Sequence, residues 1–251
     1  MVNSAMDIDD AVFPTRHDYP EEMFHIGAPK GCRVGCGRAY VKSNVIVRRF
    51  FLRRIRAAFR ILPRREYDSI LDLGTGSGFY LPLLSKTGRR VHGVDLAPVL
   101  HLTHKMIRKK GLPNVLLSKA DVARLPFKSD CFDLLFCLSL IEHIQDQERT
   151  LMEFKRVLRK NGVLILGYPI QNGPQHFFEE LNEYLQYARF FLKLSPSRAW
   201  EKVRESRQYP HNHVSDFSRT KQIAGSVFIL KDAVSVRLLG FSVYEILLLT
   251  N

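Results

Sequence analysis

An α/β fold built on a doubly wound, largely parallel sheet is predicted by three observations on the 251-residue chain. The stretch Tyr67–Tyr80, Y-D-S-I-L-D-L-G-T-G-S-G-F-Y, passes from an apolar run through alternate glycines into renewed apolar residues, which reads as a strand, a tight turn and a helix start. Strand-like and helix-like patterns then alternate from Ile70 to Leu166, a succession that demands right-handed crossovers and parallel neighbours. The segment Phe132–Leu138 is almost wholly apolar, as a strand covered on both faces should be. In such a sheet the ligand crevice opens at the carboxyl ends of the strands.

Composition narrows the class. The hydrophobic share of 45% suits a globular chain with ample length for a core. Residues Met1–Asp10 are acidic and polar, unlike a secretory leader, and the apolar C-terminal stretch is interrupted by Arg237 and Glu245, unlike a membrane span. Four cysteines in a chain of this length suit a reducing compartment, so the expected location is cytoplasmic. The net charge of +13 is concentrated between Pro29 and Arg65, where no Asp or Glu occurs.

Residues 1–42 read as a polar lead-in followed by a Gly/Cys loop, with Met1 to about Ile26 loose and without periodicity. Cys32 and Cys36 lack the paired partners of a structural zinc site, and no metal is expected. The main domain spans 43–251. It opens with a basic amphipathic helix over 43–62, in which Val47, Phe51, Ile55, Ala58, Phe59 and Leu62 share one face and Arg49, Arg53, Arg56 and Arg60 the other. Pro63 stops it. The cationic face is either solvated or a contact for an anionic substrate, an anionic lipid surface or a nucleic acid such as RNA.

After the glycine turn, Tyr80–Leu84 begins a helix and Arg90–Asp95 forms a second short strand ending in an acid. Asp95 is placed to accept from two neighbouring ribose hydroxyls, or else to cap the helix starting near Pro98. That helix runs to Lys110, and a third strand covers Val115–Ser118. Asp130 and Asp133 belong to the turn entering the fourth strand, Phe132–Leu138. A helix over Gln147–Arg159 then ends at Asn161-Gly162 before a fifth strand at Val163–Leu166.

The spacing D-x-G-x-G-x-G lacks the third glycine of the dinucleotide fingerprint, because Phe79 stands there. It resembles the first motif of the class I S-adenosylmethionine-dependent methyltransferases, and I-E-H-I followed by E-F-K-R-V-L-R-K-N-G resembles the branch that acts mainly on small molecules. The resemblance covers roughly Tyr67–Leu249 and is strongest up to Leu166. It implies a seven-stranded Rossmann-like sheet with helices on both faces and a late antiparallel strand within Gly240–Leu249. It implies S-adenosyl-L-methionine as cofactor, with the acid Asp72 facing an ammonium and Gly74, Thr75, Gly76 and Gly78 wrapping the methionine and ribose. Asp95 and Leu96 would meet the sugar, Asp121 and Val122 the adenine, and Leu138 would close the cofactor site.

The interruption at 171–216, with Phe178, Leu181, Leu185, Ala188 and Leu192 at helical spacing, is expected to form a helical cap over the acceptor, or else core or dimer packing. Transfer is expected to go to a small-molecule or lipid-like acceptor. The Pro-Pro-aromatic motif of exocyclic-amine enzymes is replaced by L-S-L-I-E-H-I, and Cys137 lies inside an apolar strand where a thiol is inert. His143 is the candidate general base, or a packing residue of the next helix, with Tyr168, His211 and His213 as candidate acceptor contacts. The alternatives are an RNA-modifying methyltransferase using the basic helix and a catalytically silent cofactor-binding module.

Overall fold

The computed structural model describes residues 8, 12–25, 45–96, 100–170, 217–238 and 240–251. The expected Gly/Cys loop with Cys32 and Cys36, the cap over 171–216 and both His211 and His213 lie outside the described residues. The helices are α1 (Glu22–His25), α2 (Val45–Ile61), α3 (Leu81–Thr87), α4 (Leu100–Lys110), α5 (Gln147–Val157) and α6 (Phe217–Val227). The strands are β1 (Tyr67–Leu73), β2 (Gly88–Asp95), β3 (Val115–Lys119), β4 (Phe132–Leu138), β5 (Leu158–Pro169), β6 (Ile229–Leu238) and β7 (Phe241–Thr250).

They form one seven-stranded sheet in the order β3-β2-β1-β4-β5-β7-β6. The first five strands are parallel, and β7 inserts antiparallel between β5 and β6. The order reverses between β1 and β4, so the crevice at a topological switch point falls beyond Leu73 and Leu138. Alternate residues of the central strands feed two cores. Ile70, Leu134, Phe136 and Ile165 pack with α2, α3 and α4, whereas Leu71, Leu135, Cys137 and Leu164 pack with α5 and α6. Both faces being covered is why these strands read as unbroken apolar runs.

Three boundaries differ from the sequence reading. The lead-in is not loose throughout: Phe13, Tyr19 and Met23 are buried in the first core, and the Phe13 ring stacks on Phe79 with centroids 5.2 Å apart. Three large apolar side chains suffice to dock a segment without periodicity, and Lys110–Asp18 at 3.6 Å adds an ion pair to α4. Helix α5 ends at Val157 instead of Arg159, because Leu158 pairs with Phe132 and the Arg159 guanidinium reaches Asp133 at 2.7 Å. The edge strand β6 was not foreseen. Its exposed Lys231, Asp232, Ser235 and Arg237 leave only a weak apolar alternation, a pattern suited to a sheet edge.

The basic helix forms close to its expected limits. Arg49, Arg53 and Arg60 are exposed and Arg56 is half-buried, while Ile55, Ala58, Phe59 and Leu62 are buried, as the pattern requires. One arginine departs from it. Arg54 is only 5% exposed, on the face turned toward the sheet.

Replacing Phe13 by Ala should cost about 3 kcal/mol of unfolding free energy, the usual range for a buried phenylalanine. Urea titration measures it, and a loss under about 0.5 kcal/mol would mean that this segment does not hold to the core.

Candidate functional site

The site is built where β1 ends. Asp72 and Leu73 carry the strand into a bend whose Gly74, Gly76 and Gly78 all have φ between +49° and +73°, a region closed to most side chains. Space is limiting as well. A Cβ on Gly78 would stand 2.6 Å from Thr103 Cγ2 on α4, and one on Gly74 would stand 3.0 Å from the Leu140 methyls beyond β4.

The bend is stitched to β2. The N–H groups of Gly74 and Thr75 donate to the Val94 carbonyl at 2.9 and 3.0 Å, and Gly76 N–H donates to the Asp95 carboxylate at 2.7 Å. Thr103 Oγ1 on α4 donates to the Gly76 carbonyl at 2.7 Å. The two acids singled out in the sequence are thus joined through one loop. Asp95 is half-buried beside the bend, and its neighbour Leu96 is 57% exposed, an apolar surface presented next to a carboxylate.

Asp72 is fully buried. Its Oδ2 accepts from the Thr75 hydroxyl, and its Oδ1 has no hydrogen-bond partner among the described residues. Burial pushes this carboxyl up to about 7, the Asp95 charge adds to the rise, and the Thr75 and Tyr80 side chains oppose it. A buried carboxyl with one oxygen unsatisfied suits a cationic group arriving at the bend.

The remaining expected cofactor residues gather on the same edge. Ala120 N–H donates to the Asp95 carbonyl at 3.2 Å, joining the Asp121 turn to the end of β2. Asp121 is exposed and one of its oxygens accepts from Ala123 N–H at 2.9 Å, while Val122 is buried. Leu138 ends β4 and is buried, and Leu140 lies over Gly74.

The expected catalytic and acceptor residues separate. His143 is exposed in the turn Ile141–His143 following β4. That turn is tied down by Gln147, whose side chain donates to the Ile141 carbonyl at 2.8 Å and accepts from Thr220 at 3.0 Å. Tyr168 is not available to an acceptor. It is 1% exposed and donates to Glu245 at 3.2 Å, and Glu245 in turn pairs with Lys221 on α6 at 3.0 Å. Burial and the adjacent Glu245 push its hydroxyl far above the ordinary range. It is a structural tie between β5, β7 and α6, buried because the strand alternation turns it toward the second core.

Residues that the sequence did not single out also sit at this edge. Ser139, the first residue beyond β4, adopts φ +56° without being glycine. Its hydroxyl lies 2.9 Å from the Tyr244 hydroxyl and accepts from Arg54 at 3.4 Å. The left-handed backbone has no sequence signal in L-S-L-I, and Arg54 is masked by the other arginines of α2.

Strand order, the glycine bend and the acids on β1 and β2 together define a class I, Rossmann-like methyltransferase fold. The model of the family described as "Methyltransferase domain" matches residues 71–166, and over that span the chain is similar to S-adenosylmethionine-dependent methyltransferases. A probable S-adenosylmethionine-dependent methyltransferase of Mycobacterium tuberculosis is 29% identical over 126 residues, 49% of this chain and 44% of that protein. The chain thus matches under half the length of that curated relative. Among solved structures, the PH0226 protein of Pyrococcus horikoshii superposes with a TM-score of 0.62 at 18% identity, covering 85% of this chain and 95% of that one. The N-methyltransferase NodS of Bradyrhizobium japonicum in complex with S-adenosyl-L-homocysteine superposes with a TM-score of 0.57 at 13% identity, covering 80% and 87%. These two show the shared fold.

In the unfolded chain the Asp72 carboxyl reverts to an ordinary value near 3.8. Its raised folded-state pKa therefore favours folding at low pH, and that benefit is lost as pH rises through about 7. The Asp72→Asn variant, which cannot ionise, should gain thermal stability over the parent on moving from about pH 5 to about pH 8 without cofactor. An unchanged or shrinking difference in Tm would contradict a buried, proton-holding Asp72.

Proposed function

We propose that the protein transfers a methyl group from S-adenosyl-L-methionine to a small-molecule acceptor by in-line displacement. The observation that carries this reading is the pair of acids on one glycine bend: Asp95 tied to Gly76 N–H, and Asp72 buried with one oxygen unsatisfied. The donor set fits a group that brings both a sugar diol and an ammonium.

In this reading Asp95 accepts from the ribose hydroxyls and Leu96 offers its exposed apolar surface to the nucleoside. The Asp121–Val122 turn reads the adenine edge, and Leu138 closes the site from the β4 side. Asp72 would hold the ammonium, whose positive charge would offset the cost of burying the carboxylate. The glycines let the main chain approach without a Cβ in the way. When bound, the cofactor supplies a methyl group already activated on a sulfonium. The protein's part is then to position the acceptor in line and exclude water. A base is needed only for an acceptor that carries a proton at transfer, and exposed His143 is the candidate for that step. The 171–216 segment and its His211 and His213 are proposed to cover and contact the acceptor, and a cytoplasmic setting suits the cysteine usage.

A second reading is favoured by one observation, the exposed Arg49, Arg53 and Arg60 of α2. They suit an RNA acceptor or an anionic lipid surface, in which case binding weakens steeply with salt and disappears when these arginines are neutralised. A cofactor-binding module without turnover is the third, and a methyl-transfer assay decides it.

Isothermal titration with S-adenosylhomocysteine should show one-site binding to the full chain, weakened about tenfold to a hundredfold by Asp95→Ala. Undiminished affinity in that variant would contradict the assignment of the sugar to Asp95.

A further inference from the structure

The glycine bend is held from α4 as well as from β2, and on the α4 side one residue, Thr103, meets it twice. Its hydroxyl donates to the Gly76 carbonyl at 2.7 Å, and its methyl carbon stands against Gly78, 2.6 Å from where a Cβ on that glycine would lie. Thr103 is fully buried, as are its helix neighbours Leu102 and Met106. A hydroxyl withdrawn from water destabilises a fold unless it finds a partner, and valine would fill the same shape without that penalty. The Gly76 carbonyl gives the hydroxyl a partner outside its own helix.

Gly76 is caught between two anchors. Its N–H donates to Asp95 Oδ2 at 2.7 Å and its carbonyl accepts from Thr103, so the peptide groups on both sides of a residue at φ +49° are fixed. Glycine has more backbone freedom to lose than any other residue, and these two bonds remove part of it before a ligand arrives. Without the α4 anchor the peptide after Gly76 can turn, and the N–H that aims the Asp95 carboxylate loosens with it. Helix α4 is itself well supported. Lys105 and Lys110 pair with Glu22 and Asp18 at 3.7 and 3.6 Å, and Lys109 donates to the His17 carbonyl.

We propose that Thr103 is a positioning residue for the cofactor. From α4 it holds Gly76 in the pose that orients the Asp95 carboxylate toward the sugar hydroxyls, and so raises affinity for the nucleoside part of the ligand by preorganisation. It acts through Gly76 and Asp95 and needs no contact with the ligand. The identity of the ligand rests on the methyltransferase reading, whereas the route from Thr103 to Asp95 rests on the bonds around Gly76 alone.

Isothermal titration of the full chain with S-adenosylhomocysteine and with adenosine, which has the sugar but no amino-acid tail, compares Thr103→Val and Thr103→Ala with Thr103→Ser. Valine and alanine remove the donor and should weaken both ligands about fivefold to tenfold, whereas serine keeps it and should stay within about twofold of the parent. Combined with Asp95→Ala, Thr103→Val should add less than about a twofold loss, because the carboxylate it positions is gone. In the ligand-free protein the Gly76 amide proton resonance should move in Thr103→Val and stay near its parent position in Thr103→Ser. Parent-like binding by the valine and alanine variants, an undiminished valine effect beside Asp95→Ala, or an unmoved Gly76 resonance would each overturn the proposal. A serine variant as weak as valine would do so too, by reducing Thr103 to a packing residue. If the parent binds neither ligand, the cofactor reading fails and the positioning role falls with it; if the parent binds both and the valine variant matches it, the positioning role alone fails.

Discussion

The structure turns on the bond from Gly76 N–H to the Asp95 carboxylate. It joins the bend after β1 to the end of β2, and so sets one acid beside the loop whose other acid, Asp72, is buried below. Left-handed φ at three glycines makes that path possible, and the contacts of Gly74 with Leu140 and of Gly78 with Thr103 fix how closely β4's exit and α4 approach. A side chain at either glycine would move one wall of the crevice. The loop therefore sets the spacing of the elements around it.

The sheet distributes roles between its faces by alternation. Tyr244 and Glu245 are consecutive on β7 yet serve different neighbourhoods: Tyr244 turns toward α2 and meets Ser139, while Glu245 turns toward α6 and ties Tyr168 to Lys221. The same period of two made the central strands legible as apolar runs, since both of their faces are covered. Glycine spacing, the acid at the end of each of the first two strands and the order of strand and helix were likewise readable, because each is a local requirement written at fixed positions.

What was not legible depends on contacts distant in sequence. Phe13 has no periodic context, and its docking beside the bend shows only in contacts distant in sequence, such as its stack on Phe79. Leu158 leaves the helix because Phe132 offers it a strand partner. Tyr168 looked available because it follows a strand, but the register opposite Glu245 buries it. Arg54 is indistinguishable in sequence from the arginines that face solvent, and its burial follows from helix phase together with the aromatic rings of Phe51 and Tyr244. Ser139 owes its backbone to the Gly167 carbonyl on the neighbouring strand.

The central claim is that the Tyr67–Tyr80 bend cradles a nucleoside carrying an amino-acid tail. Crystals soaked with S-adenosylhomocysteine test it directly. Density should show the ribose hydroxyls on Asp95 and the ammonium at the vacant oxygen of Asp72. An empty crevice, or the ligand lying elsewhere on the sheet, would contradict the account.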